Sequence, residues 1–433
     1  MSAGDKSAWA WVPTLYFAEG IPYFIVNVIS VTMFKRLGMS NADLSTYTSL
    51  LYLPWAIKPL WSPFVDAVRT KRWWILSMQA VVTAGLAALA LSAGSGTFVW
   101  TLIFFYVLAF ASATHDIAAD GFYMLALDGR KQSLFVGIRS TFYRISSVFG
   151  QGVIVVLAGV LEMRLGDIPQ AWRLTLLGSS VLFALLALWH LLTLPTPEAA
   201  VAPPEATAAA GPVKFGKKAP QRLQPPASRS PFVRSFSSFF RKRGVGLAIV
   251  FMLLYRLPEA LSIRLLSPFL LDPVEAGGLA LSTAQSGLVY GTVGVVALTL
   301  GGILGGVFAA RRGLKASMWP MSLSLALPCA VYLYLAAAQP SEIWVVYACV
   351  AFDQFGYGFG FTAYMLYMMH FSEGDLKTSH YAICTAFMAL SMMLPGIVAG
   401  RIQEAVGYVG FFIIVMICCF ATICVTCFAR RRL

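Results

Sequence analysis

The chain has 433 residues, of which 58% are apolar and only 12% are charged, against about 25% charged in soluble domains. That balance excludes an ordinary soluble protein. The net charge of +13 looks at first like a nucleic-acid binder, but the basic residues turn out to be sorted by loop.

A membrane helix needs roughly 20 apolar residues. Twelve such runs are predicted, at about 8–33, 42–64, 73–93, 97–127, 132–161, 170–194, 244–270, 283–309, 316–338, 343–370, 378–400 and 405–428. The first continues for a full span with no basic leader and no small-residue cleavage site, so a retained helix is expected. Counted with the N-terminus in the cytoplasm, the inside segments carry 22 Lys and Arg and the outside loops carry five (Lys35, Arg36, Arg164, Arg173 and Arg401). Positive residues stay inside, so both termini are expected there and the excess charge needs no nucleic acid. Trp9, Trp11, Trp73, Trp74, Trp100, Trp172 and Trp344 fall near run starts, as in an interfacial aromatic belt.

Residues 1–194 and 244–433 each hold six runs. Between them, 195–243 is rich in Pro and Ala and then basic, the composition of a linker. Its end, Pro231 to Arg243, spaces Phe232, Phe236, Phe239 and Phe240 helically against Arg234, Arg241, Lys242 and Arg243. A short amphipathic helix on the inner leaflet is expected. Weak echoes relate the halves, such as GFYMLAL from Gly121 and TAYMLYM from Thr362. The all-α pattern of two six-helix halves with basic loops after the second and eighth runs resembles the major facilitator superfamily. That resemblance implies two pseudo-symmetric bundles around a central cavity, rocking to give alternating access.

Five acids (Glu19, Asp116, Asp120, Glu259, Asp353) and five bases (Lys58, Arg139, Arg144, Arg256, Arg264) lie inside the runs. Each costs about 2.5–3.5 kcal/mol at a helix centre on insertion scales, so they must face one another or water. Equal numbers allow a static set of charge clamps, and a functional cluster is the competing reading. Asp116, Asp120 and Tyr123 share one helix face. At ~1.5 Å per residue from their common loop, Asp120 comes level with Arg139 and Asp116 with Arg144, and these are the expected pairs. Arg139 and Arg144 are turned ~140° apart, so one faces the cavity and the other braces the bundle. Carboxylates that alternate between a basic partner and water are proton carriers in principle; Asp116, Glu19 and Asp353 are nearest mid-span. Arg256 and Glu259 are spaced for an i,i+3 pair, and a cavity-facing Arg clamps substrate carboxylate or phosphate. Lys58 sits among Pro54, Pro59 and Pro63, which fits a gate hinge or a snorkelling lysine. Asp66 and Arg72 flank the basic loop as further gate candidates. Tyr16, Tyr123, Tyr143 and Tyr364 offer sugar-stacking faces or plain packing. His115, beside Asp116, is either a proton relay or a packing residue.

Other chemistries find little support. The seven cysteines all lie in second-half runs and read as packing residues, with Cys424-x-x-Cys427 lacking further metal ligands. No nucleophile elbow, Walker loop or H-E-x-x-H is present, and GGILGG from Gly301 fits close helix contact. No cofactor, metal or enzymatic activity is expected.

More specifically, GIPYF from Gly20, LPWAIKPLWSPFVD from Leu53, HDIAADGF from His115, FYRISS from Phe142, LLYRLPEAL from Leu253 with SPFLLD from Ser267, and HYAICTAFMAL from His380 resemble the AmpG-type muropeptide permeases and the wider peptide/acetyl-CoA transporter group. Pro258-Glu259 departs from the Gly-Asp of related sequences, and the long basic linker is atypical. The resemblance implies proton-coupled import, across a bacterial inner membrane, of cell-wall sugar-peptide fragments bearing an anhydro-muramyl end; a monomer is expected. HFSEGDLKTSHYA after the tenth run is also similar to glycan-system permeases, which leaves an oligosaccharide cargo open. A siderophore or drug carrier, or a non-transporting membrane sensor, are the alternatives.

Overall fold

A computed structural model describes residues 3–93, 98–127, 129–196, 231–374 and 376–433. Among these residues the chain is helical, with no strand. Six helices precede the linker: α1 (3–36), α2 (41–67), α3 (Lys71–Ser92), α4 (Phe98–Ala126), α5 (129–165) and α6 (Ile168–Thr193). Then come the short α7 (Pro231–Phe240) and six more: α8 (Val245–Leu271), α9 (283–312), α10 (314–338), α11 (Ile343–Ser372), α12 (377–406) and α13 (408–432).

Among the described residues, eight continuous helical stretches are long and apolar enough to cross a membrane. Two of them hold a pair of crossings each, because the chain turns back at Gly313 (φ 76°) and Gly407 (φ 71°), a left-handed backbone that glycine adopts at little cost. α9 and α10 consequently both lie along α11, where Gly301 faces Phe355 and Gly356 faces Ser324. Helices α2 and α11, diluted by Asn41, Lys58, Asp353 and Gln354, complete twelve. The observed ends fall within a few residues of the predicted runs. Trp9, Trp73, Trp100 and Trp344 are exposed as a belt requires, whereas Trp11 and Trp172 are buried packing residues.

Several helices are interrupted where sequence chemistry demands it. α2 loosens at Leu51–Tyr52, just before Pro54. α8 breaks at Tyr255–Arg256 before Pro258, and the Thr422 hydroxyl takes up the Tyr255 carbonyl at 3.0 Å. π-helical segments, which the sequence reading did not foresee, occupy 25–29 of α1, 149–154 of α5 and 287–294 of α9. Such bulges concentrate at functional sites.

The short helix α7 packs against the second six-helix group. Its Phe239 is fully buried against Phe371, Phe387 and His380 at the ends of α11 and α12. Ser238 and His380 are hydrogen-bonded at 2.8 Å, and Lys242 donates to the Phe371 and Glu373 carbonyls. α7 is thus docked on the second six-helix group.

Candidate functional site

The first cluster gathers on α1, α2, α4 and α5. Gly20 lets α1 and α5 touch, since a Cβ there would collide with Ser146, and this brings Glu19 against α4 and α5. The predicted Asp120–Arg139 pair forms at 2.8 Å, with the Tyr16 hydroxyl donating to Asp120 at 3.3 Å. The Arg139 guanidinium lies 4.5 Å over the Tyr16 ring and 5.4 Å from that of Tyr123, contacts favourable to a cation. Asp116 does not meet Arg144. It accepts from Trp55 at 3.1 Å and sits 3.6 Å from the Lys58 ammonium, because the proline-bent half of α2 swings both residues against α4. Trp55 was missed in the sequence, although Trp55 and Lys58 are spaced i,i+3 and so share a face.

Glu19 lies within electrostatic reach of Asp116, Asp120, Arg139 and Lys58. It is 8% exposed, and its Oε2 has no hydrogen-bond partner among the described residues. Three carboxylates therefore face two cations. The surplus negative charge in a desolvated pocket is costly unless one carboxylate carries a proton. Tyr143 stands close to Asp116 and Glu19, while the Tyr123 hydroxyl is bonded to the Gln132 carbonyl. His115 turns away, hydrogen-bonded at 3.1 Å to Gln79, which also meets His190. That is the packing reading of His115.

The second cluster occupies α8, α9, α10 and α11. Arg256 and Glu259 form the predicted i,i+3 pair, bidentate with both contacts at 2.8 Å, and Arg256 also donates to Tyr357 at 2.8 Å. The helix break places Glu259 in a first turn, where the helix dipole favours an acid. Arg256 is thereby committed to its own carboxylate in this conformation. Asp353 has no cation among the described residues; it accepts from Tyr332 at 2.8 Å and Gln354 at 3.0 Å. A cavity of about 20 Å³ separates it from Glu259 and Tyr357, room for about one water. Tyr364 is fully buried, stacked on Tyr255 and bonded to the Met252 carbonyl, so it packs the bundle.

The three gate candidates bond within the first half. Lys58 meets Asp116, Asp66 pairs with Lys71, and Arg72 caps α6 through the Leu191 and Leu194 carbonyls. The polar contacts that join the halves lie elsewhere, toward the end remote from the termini. Lys35 pairs with Asp272 at 2.5 Å. Glu162 binds Arg36, Trp172 and Thr283 together. Asn41 reaches Asp272, Gln403 and Tyr408, while Thr32 meets Ser267 at 2.8 Å. Backbones touch beneath them: a Cβ on Gly291 would lie 2.0 Å from the Gln151 oxygen, and one on Gly400 1.9 Å from that of Asn41. Nearer the middle, Arg144 reaches Thr299 of α9 at 3.4 Å. Lys35, Arg36, Asp272 and Glu162 were legible only as loop or helix-end residues, since nothing local announces a partner more than a hundred residues away.

Twelve crossings in two groups of six, with charged clusters inside each and a polar seam between them, define a multi-pass membrane carrier. The chain matches the Major Facilitator Superfamily model over residues 14–394 and belongs to that family of transporters. It is 24% identical over 406 residues to the anhydromuropeptide permease of Escherichia coli K12, covering 92% of this chain and 75% of that one. It is 21% identical over 412 residues to a putative transporter AmpG 4 of Rickettsia conorii, covering 93% and 92%. In fold it is similar to the crystal structure of a bacterial homologue of the human lysosomal transporter Spinster in an inward-facing, unoccupied conformation (TM-score 0.70, 15% identity, 99% and 97% covered). The nucleoside transporter NupG is also similar (TM-score 0.68, 16% identity, 97% of each chain).

Proposed function

We propose that this protein imports anhydromuropeptides or related amino-sugar oligosaccharides across a bacterial inner membrane, coupled to protons and working by alternating access. The cargo class is supported by the relatives' names and by the motifs shared with that branch. Both termini are cytoplasmic in this reading, by the loop-charge bias. The seam of Lys35–Asp272, Glu162 and Asn41 is then the periplasmic gate, shut here, and the conformation is the inward-facing one.

The observation that carries proton coupling is the surplus carboxylate of Glu19, Asp116 and Asp120 against Lys58 and Arg139. Glu19, with its unpartnered oxygen, is the proton carrier. Asp116 and Asp120, held by their cations, set the field around it. Tyr16 and Tyr123 position Arg139, and Tyr143 and Arg144 face the cargo. In the second half, Asp353 and Glu259 are the secondary proton-coupling groups, and the committed Arg256 orders that bundle.

Uptake of labelled anhydro-disaccharide into proteoliposomes tests this. An acid-outside gradient should accelerate wild-type uptake, and Glu19→Gln, which mimics the protonated acid, should abolish the acceleration while still permitting exchange of cargo. Gradient-driven uptake by Glu19→Gln at the wild-type rate would refute the assignment.

A further inference from the structure

Three of the five intramembrane bases have a carboxylate from the chain itself: Lys58 has Asp116, Arg139 has Asp120 and Arg256 has Glu259. Arg264 does not. It is 1% exposed on α8 at the periplasmic seam, donates from Nη1 to the Asn27 carbonyl at 2.9 Å, and lies 4.6 Å over the Tyr52 ring. Its Nε and Nη2 have no partner among the described residues. Among the described residues Oδ1 of Asn27 and Oγ of Ser49 are also buried without a partner, and a Cβ on Gly396 would lie 2.2 Å from that Oγ and 3.2 Å from the Arg264 Cγ. Hydrogen-bonding capacity is therefore left unused at one point of the seam, around a cation that burial penalises.

Asn27 belongs to the π segment of α1, and Tyr290, within electrostatic reach of Arg264, to that of α9. A cavity of about 30 Å³ is lined by Asn27, Gln151, Ser267 and Tyr290 from both halves, together with apolar side chains that include Ile263, the residue before Arg264 on α8. Arg144, the other base without a carboxylate, contacts Thr299, nine residues along α9 from Tyr290. At ~1.5 Å per residue Tyr290 and Thr299 lie about 13 Å apart along that helix, Tyr290 on the periplasmic side in the import reading.

We propose that Arg264 is the anion receptor of the outward-open carrier, which binds a carboxylate of the entering cargo bidentately and passes that group toward Arg144 as the seam closes. A planar guanidinium fork with no acid of its own fits that role. The assignment rests on the import reading above and adds to it that the cargo must be anionic.

The test compares N-acetylglucosaminyl-anhydro-N-acetylmuramic acid, whose lactyl group ends in a carboxylate, with its neutral methyl ester in proteoliposomes. Wild type should prefer the acid. Arg264→Gln should raise KM for the acid roughly 10- to 100-fold, the effect of losing a hydrogen-bonded charge partner, and bring the acid-to-ester ratio of kcat/KM toward one. Arg264→Lys should fall between. An unchanged ratio, whether both rates persist or both drop together, overturns the proposal and leaves Arg264 a strut of the seam. If Arg264→Gln does not fold, the lysine variant decides by the same ratio. If wild type carries neither sugar, the import reading fails instead. Arg264 is then judged by phenylglyoxal modification of the full-length protein mapped by mass spectrometry: protection by citrate supports a carboxylate receptor, and equal modification with and without it overturns one.

Discussion

On the alternating-access reading proposed above, replacing Gly291 with alanine should prop the seam between the halves open. The added Cβ would lie 2.0 Å from the Gln151 oxygen and 2.4 Å from the Gly152 nitrogen, both backbone atoms of α5. Carbon and oxygen approach no closer than about 3.3 Å in ordinary contacts, so the two helices must part by about 1.3 Å. Overpacking of this kind costs about 1–3 kcal/mol, and it is charged to the closed state alone, since the open state separates α5 from α9. The equilibrium should move toward outward-open by about 5- to 150-fold. A cysteine at Thr32, which touches Ser267 across the seam, reports the change in a background without the native cysteines. External impermeant maleimide should label it faster in Gly291→Ala, and uptake should slow. Gly306→Ala, on the same helix with nothing within 4 Å of its Cβ, is the control. Equal labelling in both variants would show that this crossing does not govern the gate.

Two further outcomes follow from the ion pairs. Lys58→Met should lower the melting temperature, because Asp116 then keeps only Trp55 in a pocket where an unpaired charge costs about 3–5 kcal/mol; adding Asp116→Asn should restore it, as read by tryptophan fluorescence on heating. Lys35→Asp should favour the outward-open state, and the reversal Lys35→Asp with Asp272→Lys should bring wild-type labelling at position 32 back if that pair latches the seam.

The crossings were legible because membrane helices announce themselves by length and apolarity, one segment at a time. Asp120–Arg139 was legible for a related reason: both residues hang from one short loop, so helical rise alone sets their depth. The same counting failed for Asp116 and Arg144, where depth agreed and azimuth did not. Arg144 is turned toward α9, and the bend of α2 that delivers Lys58 and Trp55 depends on packing. For Tyr364 a stacking face and plain packing stayed equally open, because its neighbours on α8 were invisible. The seam was beyond reach for the same cause, since Lys35–Asp272 and Asn41–Gln403 join segments whose proximity exists only in the assembled bundle.

The docking of α7 ties it to one group of helices. Phe239 packs against Phe371 and Phe387, and Lys242 donates to the Phe371 and Glu373 carbonyls. Any tilt of α11 and α12 therefore carries α7 with it, so a reporter placed on that short helix follows the second group and not the first.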